Sequence, residues 1–204
     1  MGILEAKQGR WSMNKTKMAL EESSYLQPEE QELLQQLQMP LSFERAFSQL
    51  VQQYQERLYW HLRGMLGPHE EADEVLQNTF IKVYKGIDKF RGQSKLYTWL
   101  YRIATNEALS HLRKRKRHRT ESLELLDHQA PAQADSYLPA EDIQNLLQEA
   151  IALLPDRQRQ VFLLRYYDEM PYQDMAEVLE LSVGSLKASY HHAVKKIENY
   201  IKQQ

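Results

Sequence analysis

The chain of 204 residues is 42% hydrophobic and carries 26 Lys and Arg against 28 Asp and Glu, with no cysteine. It is long enough to bury the cores of two small domains, its lack of thiols excludes a disulfide scaffold or a cysteine-ligated zinc, and no apolar run approaches the roughly 20 residues that cross a bilayer. The net charge of −2 conceals a division: residues 41–119 hold 15 Lys and Arg against 8 Asp and Glu, and residues 120–204 hold 7 against 14, so the first half is basic enough for a polyanionic partner.

Residues 1–40 are rich in Gln and Glu and are expected to form a mostly flexible extension, with one short helix between about Glu29 and Met39 and a second candidate start at Met13. Phe43, Phe47, Leu50, Val51, Tyr54, Leu58 and Leu62 then recur at steps of three and four, predicting a helix that Gly67-Pro68 ends. Ala72, Val75, Leu76, Thr79, Phe80 and Val83 mark a second helix that stops around Gly86. A third runs from about Leu96 to Arg115 and buries Leu100, Ile103, Ala104, Ala108 and Leu112. Residues 118–140 contain Pro131 and Pro139 without an apolar face and are expected to be a linker. Ile143, Leu146, Leu147, Ala150 and Ile151 form the next stripe, ending before Leu154-Pro155, and a further helix covers Arg157 to Tyr167. After the breaker Asp168 to Pro171, two stripes follow: Tyr172, Met175, Ala176 and Leu179, then Val183, Leu186, Tyr190, Val194, Ile197 and Ile201. Their connection, Glu180-Leu181-Ser182, has the length of a helix-turn-helix. No segment alternates like a strand. The predicted fold is all-α, with two small helical domains, 41–117 and 141–204, joined by a flexible linker at 118–140.

Chemistry concentrates in two places. Between Phe90 and Arg119, aromatic residues stand beside a dense basic run. The rings of Tyr97, Trp99 and Tyr101 offer flat faces on which an unstacked base can rest, worth roughly 1–3 kcal/mol each. Arg113, Lys114, Arg115, Lys116, Arg117 and Arg119 put six cations in seven positions, a mutual repulsion that phosphates would offset. The bland alternative has Trp99 buried and the cations on a solvated linker or a favourable helix C-terminus. In the last helix, if Leu186, Tyr190, Val194 and Ile197 face the core, then Ser185, Lys187, Ala188, Ser189, His191, His192 and Lys195 face outward near its front, the part of a recognition helix that enters a major groove. A stacking platform has little use in reading closed duplex, so the pair of modules points to DNA that is opened as well as read.

Metal chemistry is not expected. His191 and His192 are adjacent and point about 100° apart on a helix, which prevents both from holding one ion. The group His61, His69, Glu70, Glu71 and Asp73 could suggest a metal-dependent hydrolase, but it spans a turn and a helix start, where carboxylates are favoured anyway. No nucleophile with a base and no phosphate-cradling glycine loop is present, so neither an enzyme nor a cofactor is predicted. A stand-alone helix-turn-helix regulator is the rival reading; such proteins normally dimerise, and no heptad seam is visible here, so the free chain is expected to be monomeric. Without a signal-like N-terminal stretch it is expected to be cytoplasmic, with no membrane insertion.

Longer motifs carry a resemblance. Glu71-Ala72-Asp73-Glu74-Val75-Leu76-Gln77-Asn78-Thr79-Phe80, Phe90-Arg91-Gly92-Gln93-Ser94 and Thr98-Trp99-Leu100-Tyr101-Arg102-Ile103-Ala104-Thr105-Asn106 resemble region two of bacterial sigma factors. Leu153-Leu154-Pro155, Arg157-Gln158-Arg159-Gln160-Val161-Phe162 and the helix-turn-helix after them resemble region four. With only a linker between the two, the chain is similar to the extracytoplasmic function (ECF) class. That resemblance implies that Asp73, Glu74, Gln77, Asn78 and Lys82 dock on the large subunits of core RNA polymerase. It implies that Phe90, Arg91, Ser94, Lys95, Tyr97, Trp99, Arg102 and Asn106, with Arg113, Lys114 and Arg115, melt the −10 element of promoter DNA and capture a flipped base, unstacking being a cost of a few kcal/mol that a ring-lined pocket offsets. The outward face from Ser185 to Lys195 corresponds to the −35 reader, and an anti-sigma factor is implied as a further partner. Six positions depart from the family. Leu96 and Tyr97 stand where an aromatic and a basic residue are usual, Ser189 and His192 where Arg is frequent, Pro171 where Ser often caps, and Glu180 where Gly is usual. If position 180 is left-handed, Glu strains it by about 1 kcal/mol.

Overall fold

A computed structural model describes residues 28–123 and 142–203. The flexibility expected of the extension before Pro28, and of the linker over residues 124–140, falls outside them. Among the described residues the fold is all-α, with eight α-helices and one short 3₁₀ turn. In chain order these are α1 (Pro28–Leu37), α2 (Phe43–Leu66), α3 (His69–Gly86), the 3₁₀ turn Ile87–Lys89, α4 (Leu96–Leu123), α5 (Asp142–Ala152), α6 (Asp156–Tyr166), α7 (Tyr172–Leu179) and α8 (Val183–Lys202). None of these helices is long and apolar enough to cross a membrane.

Local chemistry sets the boundaries. Gly67 closes α2 at φ 92°, a left-handed conformation that a Cβ would strain. Pro68, Pro155 and Pro171 precede α3, α6 and α7, where a missing N–H costs nothing, and Glu70 with Glu71 and Asp156 place carboxylates at positive helix starts. The α4 helix outruns its predicted end at Arg115 by two turns and takes in residues 118–123, which were assigned to the linker. Arg and Lys are good helix formers and no Gly or Pro interrupts them, so like-charge repulsion alone does not stop the helix.

Helices α1 to α4 form one bundle. Leu33, Leu34 and Leu37 of α1 are buried on α2, where the Tyr54 hydroxyl lies 3.3 Å from Glu30 Oε1. Leu50, Leu58, Leu62 and Met65 of α2 meet Val75 and Val83 of α3 and Leu96, Leu100, Ala104 and Ala108 of α4. Helices α5 to α8 form the second bundle around Ile151, Val161, Phe162, Leu164, Met175, Val178, Leu186, Ala193 and Ile197. Each fully buried Leu or Ile contributes about 1.5–3 kcal/mol relative to its exposed state.

The two bundles pack on one another. Helix α7 lies on α4 and α6 lies on α2. Gly64 leaves a notch for Leu163 of α6, whose Cδ2 lies 2.8 Å from where a Cβ at position 64 would stand. Nothing in the periodicity of either half signalled this contact.

Candidate nucleic-acid interface

The segment between the 3₁₀ turn and α4 shapes a small cleft. Gly92 adopts φ 67° there, and Arg91 Nη1 donates to the Asp88 carbonyl at 2.8 Å, which holds the bend. Phe90 is buried, its ring centroid 5.1 Å from that of half-buried Trp99 at an interplanar angle of 36°. The Trp99 indole also lies against Gly86, 3.7 Å from the position a Cβ would take, so a larger residue there would press on the ring. Gly86, Lys89, Phe90, Arg91, Gln93, Ser94, Trp99 and Arg102 line the resulting cleft of about 160 Å³. Trp99, Arg102 and Asn106 follow at helical steps on one face of α4, and Asn106 is exposed.

The basic run divides. Arg113 and Lys114 are exposed, with Arg113 Nε donating to the Leu109 carbonyl at 3.2 Å. Arg115 instead turns inward: its Nη1 lies 3.0 and 2.8 Å from the two Glu71 carboxylate oxygens and 3.3 Å from the Leu66 carbonyl, fastening α4 to the start of α3. Arg115 is therefore a structural cation in this conformation rather than a member of the exposed basic surface. The aromatic set is corrected as well. Tyr101 is fully buried and donates to Asp168 Oδ1 at 2.8 Å, so its ring offers no stacking face. Leu96 occupies the core in place of an aromatic, and Tyr97 is half-buried and donates to Asp174 of α7, whose Oδ2 also lies 3.0 Å from Lys95 Nζ. Burial first, then the hydrogen bond and charge of Asp174, push the Tyr97 phenol above its ordinary pKa. Burial and Asp168 do the same for Tyr101.

On α3, Glu74, Gln77 and Asn78 are exposed on one face. Asp73 lies 3.3 Å from His69, and Lys82 pairs with Glu107 of α4. The same face carries Ile81 and Tyr84, both exposed, which sequence reasoning passed over. Their signal was a phase shift: the buried positions of α3 are Ala72, Val75, Thr79 and Val83, and Ile81 is out of step with them.

The helix-turn-helix has the predicted form. Glu180 sits at φ 54° and ψ 44°, in the left-handed region, and Ser182 caps α8 by accepting from the Ser185 amide at 3.2 Å. Lys187, Ala188, His191, His192 and Lys195 are exposed, whereas Ser185 and Ser189 are half-buried. Lys187 Nζ lies 5.8 Å from the Tyr172 ring centroid, which steadies it at the head of the helix.

Three residues, His61, Asp168 and Asp174, have roles between the two bundles that only the structure shows. His61 is buried with Nδ1 2.9 Å from Asp168 Oδ2 and Nε2 3.1 Å from Thr105 Oγ1, and Asp174 receives both Lys95 and Tyr97. Four of the five residues of the metal-hydrolase group turn to separate partners: His61 faces Asp168, His69 and Asp73 pair with one another, and Glu71 holds Arg115 and His111.

Comparison with known proteins follows the same division. The family model for sigma-70 region 2 matches residues 50–118, and that for sigma-70 region 4 matches residues 144–197. The ECF RNA polymerase sigma factor SigW of Bacillus subtilis is 32% identical over 167 residues, spanning 77% of this chain and 89% of that protein. The RNA polymerase sigma-H factor of Pseudomonas aeruginosa is 31% identical over 185 residues, spanning 84% and 93%. The solved sigma factor RpoE, in complex with the anti-sigma factor NepR from Bartonella quintana, matches with a TM-score of 0.64 at 24% identity over 76% of this chain and 96% of that one, a likeness of fold. With both sigma-70 regions in order and relatives of this identity along most of its length, the chain belongs to the ECF class of RNA polymerase sigma factors.

Proposed function

We propose that this sigma factor, which directs promoter-specific transcription initiation, divides the reading of a promoter between its two bundles. The first, α1 to α4, binds core RNA polymerase and opens the −10 element; the second, α5 to α8, reads the −35 duplex. The observation that carries the reading is the cleft that Phe90 and Trp99 line together, set on the same face as Arg102 and Asn106 and at a distance in sequence from the exposed face of α8. A cleft with one aromatic wall and guanidinium groups at its mouth suits a single extruded base, whose unstacking cost of a few kcal/mol the ring and hydrogen bonds offset. A protein that bound only closed duplex would have no use for it.

In this division Asp73, Glu74, Gln77, Asn78 and Lys82, with Ile81 and Tyr84, meet the large subunits of the polymerase. Arg113 and Lys114 hold phosphates near the opened strand. Lys187, Ala188, His191, His192 and Lys195, flanked by Ser185 and Ser189, face the −35 groove. The protein acts without catalysis of its own, in the cytoplasm, and an anti-sigma factor opposes it.

Run-off transcription with purified core polymerase, with and without the chain, tests the whole reading. The expected result is promoter-specific transcripts that appear only when the chain is added, with permanganate-reactive thymines in the −10 element. Absence of both overturns it. Trp99→Ala should reduce thymine reactivity more than closed-complex formation, and equal loss of the two would count against a capture role for the cleft.

A further inference from the structure

Three of the described histidines, His61, His69 and His111, each rest on a carboxylate of this chain, Asp168, Asp73 and Glu71 in turn. His191 and His192 do not. Both are exposed on α8, their ring centroids 6.0 Å apart, and neither has a hydrogen bond or ion pair among the described residues. Helices α5, α6 and α7 pack against α8, yet none of their described ionisable groups pairs with either ring. Glu149 accepts from Tyr200, Asp174 accepts from Lys95 and Tyr97, Arg159 and Arg165 donate to carbonyl oxygens, and Tyr172 lies under Arg165 and Lys187. Asp156, Arg157, Glu177 and Glu180 are exposed. On α8 itself Lys187 and Lys195 stand one turn to either side of His191, Lys196 stands one turn after His192, and the one acid, Glu198, is two turns beyond His191. A charge on either ring would find its counter-ion only outside the described chain.

The bundle that carries this pair is short of fixed positive charge. Residues 142–203 hold 7 Lys and Arg against 9 Asp and Glu, and the three Arg among them lie on α6 rather than α8. On the face of α8 assigned to the −35 groove, only Lys187 and Lys195 carry fixed charge. A proton on His191 in the free chain would put a third like charge into the row Lys187, His191, Lys195, whose members repel at one-turn spacing. A DNA phosphate seated there turns that repulsion into attraction. We propose that His191 and His192 grip duplex as imidazolium ions formed on contact: each ring takes one proton from solvent as a backbone phosphate seats against it. The proposal rests on the assignment of α8 to duplex given above. Histidine suits the task because its charge changes between about pH 5 and pH 8. Proton uptake on binding makes affinity rise as the pH falls, by up to about tenfold per pH unit for each proton taken up.

The full chain is titrated into a labelled mixed-sequence duplex of about 30 base pairs, which reports backbone contacts apart from any promoter sequence. From about pH 8 to about pH 6 at constant ionic strength, affinity should tighten roughly tenfold, and the slope of log affinity on log salt should steepen by about 1.8, two contacts at about 0.9 each. His191→Gln with His192→Gln should lose most of both changes. His191→Arg with His192→Arg should keep the tight, steep binding at the higher pH, a gain that a misfolded chain cannot produce. His118→Gln, at an exposed histidine beside the basic run of α4, should leave the pH dependence as it was. The proposal fails if affinity is unmoved by pH, if the Gln pair retains the full change, if the Arg pair binds no better at the higher pH, or if His118→Gln removes the change. Run-off transcription judges the sigma reading separately: transcripts without a histidine effect end this proposal alone, and a histidine effect without transcripts ends that reading alone.

Discussion

Arg113 and Arg115 stand two residues apart on one helix and do unlike things. Arg113 projects into solvent, whereas Arg115 grips both oxygens of Glu71 and the end of α2. Arg113→Ala should leave the melting temperature near its original value and flatten the dependence of log affinity on log salt, by about 0.9 for a contact to duplex and about 0.7 for a contact to a single strand. Arg115→Met should do the reverse. Its pair with Glu71 is partly solvated, with side chains 37% and 24% exposed, so the expected loss is about 1 kcal/mol in chemical denaturation, with the salt slope unaltered. A run of cations is legible in a sequence as a run; which of them is used internally depends on which acid lies one helix away. Glu71 is 44 residues distant along the chain, and no local pattern announces it.

At the scale of elements the sequence was most informative where the period of 3.6 residues had long, regular stripes to act on. The stripe Leu50, Tyr54, Leu58, Leu62 predicted α2 together with its Gly67 stop, and the three-residue turn before α8 followed from spacing alone. The end of α4 lies beyond the point where its apolar face is lost, because Arg and Lys keep their helical propensity without one. Glu180 is the clearest local conflict: a residue with a Cβ at φ 54° ends α7 where glycine would be unstrained. Glu180→Gly should therefore stabilise the chain by roughly 0.5–1 kcal/mol in urea denaturation, the relief of strain exceeding the extra entropy that glycine gains when unfolded. A measured loss would mean that the Glu180 side chain contributes something its exposed position does not reveal.

Across the whole molecule, the joint between the bundles depends on pairs separated by 67 to 107 residues, His61 and Tyr101 with Asp168 and Tyr97 with Asp174. Periodicity describes each helix against its neighbours and is silent about such distances. Three phenols at the packing seams share one property. Tyr54 between α1 and α2, and Tyr97 and Tyr101 between the bundles, each have a pKa raised above the ordinary 10.0, by burial first and an adjacent carboxylate second. The folded chain thus holds these protons more tightly than the unfolded one, so the stability they contribute is complete below pH 10 and declines as the pH climbs beyond it. Denaturation midpoints should fall as the pH rises above about 10, and the fall should be smaller in a Tyr97→Phe, Tyr101→Phe double variant. An identical fall in both proteins would remove those two phenols from the joint.

The tilted contact of Trp99 with Phe90 gives the molecule an optical consequence. Of its three tryptophans, Trp60 is exposed on α2 and Trp11 precedes the described residues, so replacing those two by phenylalanine leaves a single indole at the wall of the cleft. Its emission would dim when a base slides against the ring and recover when the base departs, giving a label-free clock for promoter melting.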